Sequence, residues 1–166
     1  MFEKIRKMKN QKGFTLVELI VVLVILAILA AMLVPALTGY IDKANKEKVI
    51  ATTRQVVMAA QTEVSEAYAS KPLKTTTITI DPASNGDKIS YGTDAGTKED
   101  VDGEKIVKLA EVAELASDGS TFKGLKNNIS RIEITYTDKG HVETVKVIQG
   151  TKTCTYEEGK DYTVTP

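Results

Sequence analysis

Residues 19–37 contain no charged side chain and consist, Pro35 apart, of Leu, Ile, Val, Ala and Met. Such a run leaves a chain few options. As a helix rising about 1.5 Å per residue it is roughly 28 Å long, close to the thickness of bilayer hydrocarbon. The first thirteen residues, ahead of it, carry Lys4, Arg6, Lys7, Lys9 and Lys12 against Glu3 alone. Basic residues ahead of a spanning segment hold that end on the cytoplasmic side. The expectation is a single-pass precursor in the cytoplasmic membrane, N-terminus inside, with the rest translocated.

An ordinary secretory signal fits poorly. It needs a shorter apolar region and a small-residue cleavage site. Val34-Pro35-Ala36 is a weak candidate for one, and helical periodicity continues beyond it. A plain membrane anchor is a second reading. The third rests on Lys12-Gly13-Phe14-Thr15-Leu16-Val17-Glu18.

That motif, ahead of a long apolar run, resembles the N-terminal signature of type IV pilins and of the pseudopilins of type II secretion and DNA-uptake systems. The resemblance covers residues 1–55. It implies a prepilin peptidase that cuts between Gly13 and Phe14 and methylates the new terminus at Phe14. It also implies a homopolymeric filament, a membrane assembly platform and a cytoplasmic ATPase. In the family, the glutamate at the place of Glu18 meets the N-terminus of a neighbouring subunit and sets the register. Many members also have a glycine where Ala27 stands here.

The physical chemistry of Glu18 runs the same way. It is the one acid beside the apolar run, where a bare carboxylate costs a few kcal/mol. Cleavage creates an ammonium at Phe14, and methylation keeps its charge. At about 4 Å, in an effective dielectric near 20, the two attract by on the order of 4 kcal/mol. Lipid tails are already apolar, so moving the helix from bilayer to filament gains little hydrophobic energy. Assembly therefore needs outside work, which the implied ATPase supplies. Once assembled, exposing each large side chain to water costs roughly 1.5–3 kcal/mol.

Periodicity predicts that the helix continues to about residue 69. Ile41, Ala44, Val49, Thr53, Val56, Ala60, Val64 and Ala67 recur at spacings that mark one helix face. Ser70-Lys71-Pro72 should end it, because a residue before proline disfavours helix. A helix of that length, about 80 Å, exceeds a domain of about 100 residues, some 30–35 Å across, so about half should protrude. Pro35 and Gly39 are the candidate kink within its first half.

The expected organisation is a basic leader over 1–13, a transmembrane and filament-core segment over 14–40, an amphipathic segment over 41–69, and an outer domain over 73–166. The fold class expected is α+β, a long helix with a small antiparallel sheet. Strands are read at 73–80, 129–137, 141–148, 151–157 and 162–164, with a loop over 81–103 and a helix over 104–116. Asp138-Lys139-Gly140 reads as a turn.

Composition excludes several other functions. The formal net charge is zero, and no basic patch with interleaved aromatics suggests nucleic acid. Cys154 is the only cysteine and His141 the only histidine, so an intrachain disulfide is impossible and a His-based relay has little to be built from. No nucleophile–base pair suggests an enzyme, and no cofactor is expected. Asp94, Glu99, Asp100 and Asp102 form an acidic, glycine-containing loop, but without the full spacing of a calcium loop. A solvated loop is the expectation there. Cys154 is expected to be a small buried strand residue, and His141 an exposed one. Asn128-Ile129-Ser130 fits a glycosylation acceptor pattern. The alternatives to a pilus subunit are a major pseudopilin and a minor pilin that presents an adhesive or DNA-binding tip.

Overall fold

The computed structural model describes residues 13–83, 89–91 and 101–166. Helix α1 spans Leu16–Ser70 without interruption. Its first part is rich in Leu and Ala, which favour helix, and its Ile and Val are tolerated there. The Lys71 amide still reaches the Ala67 carbonyl at 3.1 Å before Pro72 stops the helix. Pro35 lies inside it, and the Thr38 hydroxyl donates to the Pro35 carbonyl at 2.9 Å.

Two compact units divide the chain, one ending at Asp42 and the other running Lys43–Pro166. In the first, every described side chain up to Ile41 is exposed.

The second unit holds the α+β core. Its strands are β1 (Thr76–Ile80), β2 (Ile89–Tyr91), β3 (Ala113–Leu115), β4 (Phe122–Leu125), β5 (Ile129–Tyr136), β6 (Val142–Gln149), β7 (Lys152–Glu157) and β8 (Thr163–Thr165). Six of them form one antiparallel sheet in the order β2-β1-β5-β6-β7-β8, and β3 pairs with β4. The alternation in β5 puts Ile132, Ile134 and Tyr136 in the core, with Arg131, Glu133 and Thr135 half-buried on the other face. On β6, Val145 and Val147 face the core and pair with Ile134 and Ile132.

Residues 49–64 of α1 close this core with Val49, Val56, Ala60 and Val64. Ile41 and Ala44, assigned to the same face by periodicity, are exposed. Gln61 ties α1 to the β5–β6 turn. Its amide nitrogen donates to the Gly140 carbonyl and its oxygen accepts from the Val142 amide, both at 2.9 Å. Gly140 sits at φ 78°, and a Cβ there would lie 2.7 Å from the Tyr68 ring. The turn thus requires glycine twice over.

Three local expectations are corrected. Helix α2 is shorter than expected, Gly103–Leu109, because Glu111 takes a left-handed backbone at φ 59° and the chain turns into β3. Strand β4 follows where the sequence suggests no element. Strand β2 lies inside the expected 81–103 loop and pairs with β1.

Candidate functional site

The residues singled out at the N-terminus lie in sequence at the start of α1. Gly13 and Phe14 precede the helix, and the Phe14 side chain is 85% exposed. Thr15 caps the helix and Glu18 stands in the first turn. The Glu18 carboxylate accepts from the Thr15 amide and from the Thr15 hydroxyl, both at 2.8 Å and both at Oε2. The Glu18 amide in turn donates to the Thr15 hydroxyl at 3.2 Å. This reciprocal arrangement is a capping box. It satisfies amides that the first turn of a helix leaves without partners. A negative side chain also suits the positive end of the helix dipole.

Sequence reasoning passed over this role. The signal for it is Thr15-Leu16-Val17-Glu18 directly before an apolar run. Glu18 thus has a local structural task besides any intermolecular one.

Among the described residues, nothing constrains Gly13. A Cβ built there meets nothing within 4 Å, and its backbone is not left-handed. Gly39, inside α1, is equally open. A glycine within a helix costs about 1 kcal/mol relative to alanine. Neither glycine is required by packing within the described residues.

The other candidates lie elsewhere. Asp102 caps α2, accepting from the Glu104 amide at 2.9 Å. Asp94, Glu99 and Asp100 lie outside the described residues. Among the described residues, no group of three or more His, Cys, Asp or Glu side chains could hold a metal ion. Cys154 is buried in β7, and burial pushes its thiol pKa up, away from the reactive thiolate. His141 is exposed beside the β5–β6 turn. Glu63 is a buried acid for which sequence reasoning had no signal. The Lys105 ammonium lies 2.5 Å from it and 2.6 Å from Glu66. The two carboxylates hold the Lys105 pKa well above its usual range.

The N-terminal part of α1 is long and apolar enough to cross a membrane. A family model, the prokaryotic N-terminal methylation motif, matches residues 8–34. That span includes Gly13, Phe14, Glu18 and most of the apolar run. No curated protein and no solved structure matches the chain. Along residues 8–34 this chain carries the signature of type IV pilin-like and pseudopilin precursors.

Proposed function

We propose that this chain is a structural subunit of a type IV pilus. It is made as a membrane-held prepilin, N-terminus in the cytoplasm, cut between Gly13 and Phe14, methylated at Phe14 and polymerised into a helical filament. One observation carries this reading: the methylation motif coincides with a helical segment whose apolar side chains are all exposed. Such a segment needs an apolar environment, which lipid provides before assembly and copies of the same helix provide after it.

The openness around Gly13 supports the cut site. Glycine is not demanded by the fold there, so its use agrees with an external reader such as a prepilin peptidase. Glu18 supports the assembly step. Both of its hydrogen bonds fall on Oε2, which leaves Oε1 for the Phe14 ammonium of a neighbour. Residues 1–13 are then the leader, 14–40 the bilayer and filament-core segment, 41–69 the packed half of the helix and 73–166 the outer domain. Pro35 and Gly39 are the points at which the helix gives. A platform protein and a cytoplasmic ATPase supply the work of extraction. The role is structural rather than catalytic.

The same motif serves the pseudopilins of secretion and DNA-uptake systems, which build short filaments. Electron microscopy of sheared surface material, with N-terminal sequencing of the subunit, tests the reading. Long fibres whose subunit begins at Phe14 are expected. A chain recovered with residues 1–13 attached overturns it. Glu18→Ala should be cut normally yet yield few fibres; abundant fibres from it refute the charge pair.

A further inference from the structure

Asn128 and Ser130 stand two residues apart with isoleucine between them, and no step of the proposed assembly uses them. They lie where β4 gives way to β5. Residues 126–129 form a tight turn, closed by the Ile129 amide, which donates to the Lys126 carbonyl at 3.1 Å. Asn127 and Asn128 fill its two central positions with φ of 58° and 60°, as a type I′ turn requires. The Asn128 carbonyl accepts from the Gly150 amide at 2.9 Å, which fixes the backbone, while the Asn128 side chain is exposed. Ile129 is buried, and Ser130 is exposed again. Ser130 is also the extra residue of a β-bulge. Ile129 pairs with Gln149 and Arg131 with Ile148, which leaves Ser130 with no residue opposite. A carboxamide and a hydroxyl thus reach solvent on either side of a buried anchor.

The turn accounts for an asparagine but not for the pair. A left-handed backbone favours Asn, Asp or Gly. It does not ask for a carboxamide rather than a carboxylate, nor for a hydroxyl two residues on. The Ser130 hydroxyl makes one long hydrogen bond, 3.4 Å to the Ile148 carbonyl, so β5 gains little from it. Gly150 lies opposite Asn128, and a Cβ there would stand 3.3 Å from Asn128 Nδ2. The bare glycine leaves that nitrogen room.

A carboxamide followed at the second position by a hydroxyl, with no proline between, is the acceptor pattern for N-linked glycan transfer, and such acceptors occupy surface turns. We propose that Asn128 carries an N-linked oligosaccharide. The donor is a lipid-linked sugar diphosphate, used by a separate transferase. Asn128 Nδ2 attacks the anomeric carbon of the first sugar. The bond from that carbon to the diphosphate oxygen breaks, the lipid diphosphate leaves with the electron pair, and the amide proton passes to a base of the transferase. The Ser130 hydroxyl is the group the transferase reads. Transfer belongs to the emerging chain, before β5 pairs with β6, and the finished glycan projects from the turn without displacing a buried side chain. The proposal rests on the membrane-held reading given above, which puts residues beyond the apolar run outside the cytoplasm.

The test is the mass of the chain isolated from the cells that make it. After trimming and methylation are allowed for, the intact mass should exceed that of the sequence by a whole number of sugar residues. Cleavage after Lys126 and Arg131 releases residues 127–131. Fragmentation of that peptide should place the added mass on Asn128. Asn128→Asp suits the same left-handed backbone and Ser130→Ala leaves the turn intact, and each should remove the added mass completely. Ser130→Thr should keep it. An unmodified chain overturns the proposal. So does a glycan that survives Asn128→Asp, which would make a hydroxyl the acceptor, or one that survives Ser130→Ala.

Protease added to cells stripped down to the cytoplasmic membrane separates this failure from that of the membrane-held reading. An unmodified chain whose outer domain is digested from outside refutes the glycan alone. An unmodified chain protected until the membrane is opened refutes both.

Discussion

Residues 16–40 and residues 49–64 belong to one continuous helix, yet they answer the hydrophobic effect in opposite ways. The first stretch is apolar on all sides and buries none of its side chains within the chain. The second is apolar on one side only, and it buries Val49, Val56, Ala60 and Val64 against the sheet. Hydrophobicity alone would assign the core to the wrong stretch. Periodicity assigns it correctly, because a helix can bury one face against its own domain but needs a surrounding medium to bury all of them.

The contrast can be broken most sharply at Gly13. Gly13→Leu should abolish trimming by the prepilin peptidase while leaving the domain's unfolding unchanged. Gel mobility with and without the peptidase reads the first effect, and a denaturant titration in detergent reads the second. Normal trimming of the Gly13→Leu variant removes the cut-site assignment.

Core truncation comes next. Ile134→Ala should cost about 2–5 kcal/mol in a urea titration, as a buried large-to-small change. Leu26→Ala, in the exposed stretch, should stay within about 0.5 kcal/mol for the same transition. Equal costs would dissolve the distinction between the two stretches. Gly140→Ala should cost about 1–3 kcal/mol, because it adds a Cβ against Tyr68 at a left-handed backbone position.

The smallest expected effect is at the cap. Thr15→Ala should cost the start of α1 about 1 kcal/mol. Faster amide exchange confined to residues 16–19, with the domain's midpoint unmoved, is the expected pattern.

The elements legible in the sequence are those whose pattern is carried by their own residues. Strand β5 alternates cleanly and lies where its pattern predicts, and α1 follows from length and period. The elements missed depend on partners distant in the chain. Ile89-Ser90-Tyr91 is too short to show a period, and it becomes a strand because β1 offers an edge. Residues 104–116 look helical throughout, but the left-handed turn at Glu111 redirects the chain into pairing with β4. At the N-terminus, Gly13, Phe14 and Glu18 stand out by their motif. The bond of Glu18 back to Thr15 does not, because the lone charge is the more conspicuous feature of that residue. Glu63 is illegible for a related reason. Its burial becomes tolerable only when Lys105, on another helix, supplies the counter-charge.

The cap at Thr15 also bears on reach. If trimming falls after Gly13, Phe14 alone stands ahead of the fixed first turn. Consecutive Cα atoms are about 3.8 Å apart, so the new amine is tethered on a leash of one residue. Such a terminus cannot search for its counterpart as a loose tail could. In the proposed filament, adjacent rods would then have to lie close to their final stagger before the two charges meet, and the short tether would limit the pitch.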